Sequence, residues 1–147
     1  RQAALRGKLL HQLFERLPAV PPGERRERAQ AWLARSAGVD DPAFAAALAE
    51  DACAIVDHPD FAELFSPEAL AEAPVAAVIQ GGLVVAGTAD RLLVTPGRIL
   101  VADFKTGRKV PERPEDAPAA HLRQMAAYVA ALRVVFPGRE VAAALLY

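Results

Sequence analysis

The spacing of apolar positions changes near the middle of the chain. In the N-terminal half Leu5, Leu9, Leu10, Leu13, Phe14 and Leu17 recur every three or four residues, which predicts a helix over about Arg1–Leu17. The prolines and glycine of Pro18–Gly23 break it. A second helix, about Glu24–Ser36, carries Ala29, Trp32 and Leu33 on its apolar side and stops before Gly38. A third starts after Asp41, with Pro42 in its first turn, and runs to about Val56. The stretch Asp57–Glu72 is broken by His58-Pro59 and by Ser66-Pro67-Glu68. Beyond it, Val75–Ile79, Leu83–Val94 and Ile99–Phe104 are rich in valine, leucine and isoleucine and are bounded by Gly81-Gly82 and Pro96-Gly97. That pattern predicts a three-stranded antiparallel meander. A polar loop, Thr106–Pro118, leads to a helix over about Ala120–Val135, ended by Phe136-Pro137-Gly138, and to a last apolar strand, Val141–Tyr147. Helices, three strands, a helix and a strand make an α/β sandwich with a mixed sheet, not a doubly wound one.

Composition narrows the function classes. A chain of 147 residues suits one domain. Lysine plus arginine number 17 against 18 aspartates plus glutamates, so bulk charge does not mark a strongly basic nucleic-acid binder and any such surface is local. The single cysteine, Cys53, excludes an internal disulfide framework, a cysteine-rich zinc site and a four-cysteine iron–sulfur cluster, and it fits a reducing compartment. The longest apolar runs, Met125–Leu132 and Val141–Tyr147, are far shorter than the roughly 20 residues of a membrane span, and no signal-peptide pattern is present. The chain opens on Arg1 and closes inside an apolar run, so it reads as a piece of a longer protein.

The chemistry is concentrated around the second hairpin. A turn centred on Pro96-Gly97 pairs residues whose numbers sum to 193, so Thr95 faces Arg98 and Asp90 faces Asp103. Carboxylates placed so stand about 5 Å apart and repel. A divalent cation relieves that repulsion, since carboxylate oxygens are preferred ligands of magnesium and manganese; a shared proton is the other remedy. Lys105 lies two residues after Asp103, on the same strand face, beside the pocket. Two metal-clamping acids and a cation form a set suited to hydrolysing phosphodiesters.

Three motifs carry a family resemblance. Gly87-Thr88-Ala89-Asp90-Arg91-Leu92, then Val101-Ala102-Asp103-Phe104-Lys105-Thr106-Gly107, then Gln124 with Tyr128, resemble the G-x-x-D-R strand, the D-[YF]-K-T strand and the Q-x-x-x-Y helix of RecB-type nuclease domains, within the PD-(D/E)xK superfamily. Within that family the chain is most similar to the C-terminal nuclease domains of AddA-type helicase–nuclease subunits. Arg6-Gly7-Lys8-Leu9-Leu10-His11 is similar to the family's early histidine-bearing helix. The resemblance implies a restriction-endonuclease-like α/β core with a mixed β-sheet flanked by helices, plus a helical N-terminal region: one nuclease domain over 1–147, divided into a helical part, 1–71, and a catalytic core, 72–147. It implies His11, Asp90, Asp103 and the backbone carbonyl of Phe104 as metal ligands, Lys105 as the catalytic lysine, and Gln124 and Tyr128 as residues orienting lysine, water or DNA. Glu72 matches the acidic residue often found before the first strand. The implied cofactor is Mg2+, with Mn2+ as substitute, and ATP serves only a helicase part outside this chain. The implied partners are DNA ends, helicase domains of the same chain and an AddB-like subunit, without a membrane, in the bacterial cytoplasm at the nucleoid. The implied activity is exonucleolytic processing of double-strand breaks.

Other residues read as structural. His58 is a loop residue, His121 an exposed one, and Arg25, Arg26 and Arg28 form a solvated helix face, with DNA contact as the lesser reading. A catalytically silent nuclease fold, serving as a DNA-binding or subunit-interaction scaffold, is the alternative to an enzyme. A silent copy has no physical need to keep two facing aspartates and a lysine. A nuclease that resolves other DNA forms is a third reading.

Overall fold

The computed structural model describes residues 1–106 and 111–147. Gly107, the last residue of the second motif, and Lys109 lie outside the described residues. The chain divides into two compact units, Arg1–Pro67 and Glu68–Tyr147.

The first unit is helical. Helix α1 (Gln2–Arg16) buries Leu9, Leu10, Leu13 and Phe14. The proline-rich break that follows forms two short 3-10 turns, Leu17–Ala19 and Pro22–Glu24. Helix α2 (Arg25–Arg35) buries Ala29 and Leu33, and Gly38 turns the chain away with φ +69°. The Val39 amide then returns to the Leu33 carbonyl at 2.9 Å. Helix α3 (Pro42–Val56) is capped by Asp41, whose side chain accepts from the Ala43 amide at 3.0 Å, an arrangement worth about 1 kcal/mol. Its alanine-rich face, with Leu48, Ala49, Ala52 and Cys53 buried, packs against α1 and α2.

The second unit is a four-stranded sheet with one long helix. Strands β1 (Leu70–Val78), β2 (Val84–Val94) and β3 (Arg98–Phe104) form the expected antiparallel meander, and β4 (Glu140–Leu146) pairs parallel to β3. The sheet is therefore mixed, in the order β1-β2-β3-β4. Helix α4 (Ala119–Val135) supplies the crossover and buries Met125, Tyr128, Ala131 and Leu132. These meet Ala73, Val75, Ala89, Leu92, Ile99 and Val101 of the sheet in one apolar cluster. This architecture matches the restriction-endonuclease-like expectation. No helix among the described residues is long and apolar enough to cross a membrane.

One element differs from its sequence pattern. Strand β1 begins at Leu70, inside the stretch read as broken, not at Val75. Its alternation is hidden because Ala71, Ala73, Ala76 and Ala77 carry little hydrophobic signal and Pro74 argues against a strand. Pro74 is tolerated because β1 is an edge strand.

Candidate active site

The Pro96-Gly97 hairpin sets the register of the site. Thr95 closes it, its amide donating to the Arg98 carbonyl at 2.9 Å and its hydroxyl accepting from the Arg98 amide at 3.1 Å. Val94 pairs with Ile99, Leu92 with Val101 and Arg91 with Ala102, so paired residue numbers sum to 193 as the sequence predicts. One step further Asp90 meets Asp103, and regular pairing stops. The Asp90 amide donates to Asp103 Oδ1 at 3.1 Å, and the Phe104 amide donates to Asp90 Oδ2 at 2.7 Å. Each carboxylate is thus held by the main chain of the opposite strand. The β1–β2 ladder is interrupted at the same level: its pairs sum to 162, and the skipped pair sets Glu72 opposite Asp90. Glu72 is exposed and has φ +50°, a left-handed conformation that no β-pair adopts. Regular pairing of β2 therefore fails on both sides at the residue that carries the first acid.

Lys105 follows on the Asp103 face. Its ammonium lies 3.3 Å from Asp103 Oδ2 and donates to Gln124 Oε1 at 2.8 Å. Gln124 is on α4, and one turn later its Nε2 donates to the Tyr128 hydroxyl at 3.4 Å. That hydroxyl in turn donates to the Thr88 carbonyl on β2 at 3.2 Å. The bonds form a closed circuit: β2 aspartate, β3 aspartate and lysine, α4 glutamine and tyrosine, and back to β2 two residues before Asp90. Gly87 makes the last link possible. A Cβ placed there would stand 2.6 Å from the Tyr128 hydroxyl oxygen and 3.0 Å from its ring.

Burial sets the electrostatics. Asp103 is 4% exposed. Loss of water raises its pKa above the ordinary carboxylate range, and the Asp90 charge raises it further, outweighing the Asp90 amide and the Lys105 ammonium that oppose the rise. Tyr128 is also pushed up, first by burial and then by the Asp103 and Asp90 charges, which keeps it a hydroxyl donor.

The donor set fits a hard divalent cation. Two adjacent carboxylates, one of them buried enough to resist ionisation, gain most from a cation between them. The Phe104 carbonyl adds to the set. The Lys105 amide donates to the Leu146 carbonyl on β4 at 2.6 Å. No peptide bond among the described residues is cis. The Phe104 carbonyl in the same planar unit therefore points away from β4, to the β2 side. Among the described residues no group of three or more His, Cys, Asp or Glu side chains could hold a metal. The residues of this unit that could hold a cation are two acids and a carbonyl, which would leave the rest of its shell to water.

Asp90, Asp103, Phe104, Lys105, Gln124 and Tyr128 all lie in the second unit. His11 lies in the first, half-buried on α1 with its ring edge-on to Phe14 at 6.4 Å. His121 corrects its sequence reading. It is half-buried, with Nδ1 2.8 Å from the Tyr147 hydroxyl and ring centroids 5.9 Å apart. Its place three residues before Gln124 is the only sequence sign of that, and Tyr147 reaches it through the return of β4. His58 is a loop residue, as read; it is exposed and caps the turn at Pro59 by accepting from the Asp60 amide at 3.1 Å. The arginine face is structural within its unit. Arg25 donates to the Leu17 and Val20 carbonyls at 3.0 and 2.9 Å and pairs with Asp57, Arg26 pairs with Glu50, and Arg28 with Glu24.

Compared with known proteins, the chain is matched over residues 1–147 by the family model of the PD-(D/E)XK nuclease superfamily. No curated protein matches it.

Proposed function

Because the chain belongs to the PD-(D/E)XK nuclease superfamily, we propose that it is a divalent-metal-dependent deoxyribonuclease domain whose working centre is the Asp90–Asp103–Lys105 set. The observation that carries this reading is the position of the Lys105 ammonium, 3.3 Å from Asp103 and 2.8 Å from Gln124. Asp90, Asp103 and the Phe104 carbonyl would hold Mg2+ or Mn2+. Bound there, the cation supplies Lewis acidity at the scissile phosphate and lowers the pKa of a coordinated water.

The protein's own groups do the rest. The Phe104 and Asp90 amides fix the two carboxylates, so neither has to reorganise when substrate arrives. Lys105, steered by Gln124 and Tyr128, places its charge where it orients the attacking water and offsets negative charge growing on the phosphate. Hydrolysis with the 3′ oxygen as leaving group yields a 5′-phosphate and a 3′-hydroxyl.

The finer reading extends the motif likeness. The domain would act exonucleolytically on DNA ends, joined to helicase domains of an AddA-type chain and to an AddB-like subunit, at double-strand breaks in the bacterial nucleoid. The role of His11 as a further ligand rests on the same likeness, and His11→Ala tests it by its effect on manganese affinity.

The test is an assay on end-labelled single- and double-stranded linear DNA with Mg2+, Mn2+ or EDTA. Metal-dependent cleavage that falls on the order of 10²- to 10³-fold in Lys105→Met is the expected result. Equal cutting by parent and variant would overturn the site. No cutting, together with calorimetry showing no manganese binding that depends on Asp103, would favour the scaffold. Release of mononucleotides from ends marks an exonuclease; cutting of circular DNA would overturn that part.

A further inference from the structure

The first unit contains a cleft of about 340 Å³ between the outer side of α1 and the end of α2, lined among others by Leu5, Lys8, Leu9, Gln12, Arg16 and Trp32. The α1 residues follow helical spacing, so the helix presents them as one stripe. The Arg16 guanidinium lies over the Trp32 ring, 4.7 Å from its centre, a cation–π contact at the cleft wall. No acidic residue lines the cleft.

Among the other cations of this unit, Arg6, Arg25, Arg26 and Arg28 each pair with a carboxylate of the same unit, whereas Arg1 and Arg35 have no ion pair among the described residues. Lys8 and Arg16, the two cations lining the cleft, have no ion pair among the described residues, and both are exposed. Two positive charges without an ion pair, a cation–π contact and an apolar rim at Leu5 match a nucleotide: phosphate for the ammonium, base for the stack. Bases stack on guanidinium planes as well as on aromatic rings, independently of sequence. A cleft near the lower end of ligand-site volumes suits one nucleotide.

We infer that this cleft binds single-stranded DNA, seating one base against the Arg16–Trp32 stack with its phosphate at Lys8. The inference rests on the nuclease reading for the identity of the polyanion. It adds to that reading a strand-holding site distinct from the residues that cut.

Trp32 is the only tryptophan, so its fluorescence reports the cleft directly. Oligothymidylate titrated into the whole chain in EDTA, where no cutting occurs, should quench Trp32 saturably. The logarithm of affinity should fall against the logarithm of salt with a slope of about −0.7 for the one phosphate contact at Lys8. Lys8→Glu should weaken binding about tenfold and flatten that slope, and Arg16→Gln should weaken it while circular dichroism remains helical. Absence of quenching, quenching unchanged in Lys8→Glu, or equal quenching by polyglutamate would overturn the inference. The two readings fail separately. A chain that cuts DNA in Mg2+ without this quench refutes the cleft alone. A chain that neither cuts nor binds manganese through Asp103 but shows the Lys8-dependent quench refutes the nuclease and keeps the cleft.

Discussion

The pairing of β2 with β3 has two ends that bury opposite kinds of side chain. At one end Leu92, Leu93, Ile99 and Val101 are removed from water, Ile99 and Val101 completely. At the other, Asp103 is almost as dry, at 4% exposure, and faces a second carboxylate. Hairpin and register are shared. At the apolar end burial stabilises, at roughly 1.5–3 kcal/mol for each large side chain. At the acidic end the same dryness raises the Asp103 pKa and leaves the pair short of positive charge. The sheet thus offsets at one end the instability that it builds at the other, an instability that a cation would relieve on the proposed reading.

The sharpest way to break this comparison is Asp103→Asn. Cleavage should fall on the order of 10³-fold, since both the cation's ligand and the lysine's partner are lost. Stability should move the opposite way. A carboxyl whose folded pKa is raised holds its proton in the native state at pH values where the unfolded chain has released it, so the native state loses stability as pH rises through that window. Without metal, the variant should therefore melt higher than the parent at pH 7, and the gap should close near pH 3, where the carboxyl is protonated in both states. Scanning calorimetry at the two pH values checks it. A variant less stable than the parent at pH 7 would show that the main-chain and lysine contacts of Asp103 outweigh its burial. Saturating Mg2+ should narrow the gap at pH 7 by stabilising the parent alone.

At the other end Ile99→Ala is the matched test. Ile99 is fully buried in the cluster of α4 and the sheet, and truncation there should cost about 2–5 kcal/mol in urea unfolding. Cleavage per folded molecule should stay within a factor of about two, since Ile99 touches no acid of the site. A larger loss in the folded fraction would mean that the two ends are coupled through the strand.

How much of this was legible in the sequence follows the same division. The register was, because Pro96-Gly97 fixes a short hairpin and the rest is counting; Asp90, Asp103 and Lys105 came with it. Gln124 and Tyr128 needed the motif likeness, since i, i+4 spacing on a helix fits a core edge equally well. Strand β1 was legible only from Val75 onward, because alanine and proline hide its alternation and the left-handed Glu72 interrupts it. The His121–Tyr147 contact was not legible, because it exists only once β4 returns parallel to β3. Arg25 was not legible either: its carbonyl partners at Leu17 and Val20 are created by the 3-10 turn that the prolines impose.

Gly87 joins the two ends of the comparison and gives the mildest test. Its φ lies outside the left-handed region, so glycine is not needed there for backbone freedom. What requires it is space, since an added Cβ would lie 2.6 Å from the Tyr128 hydroxyl. Tyr128 belongs at once to the apolar cluster and to the bonds that hold Gln124 and Lys105. Gly87→Ala should therefore force the ring back, at about 1–3 kcal/mol of stability for the overpacking. It should also lower cleavage about tenfold through a displaced lysine, as disturbed supporting partners of a metal site generally do. Gly87→Ala combined with Tyr128→Phe separates the two effects. Removing the hydroxyl relieves the closest contact, so the double variant should recover stability relative to Gly87→Ala. Its cleavage should stay low, because Gln124 has lost the hydroxyl that orients it. If cleavage recovers along with stability, Tyr128 acts in packing alone, and the circuit from Lys105 back to β2 has no part in placing the lysine.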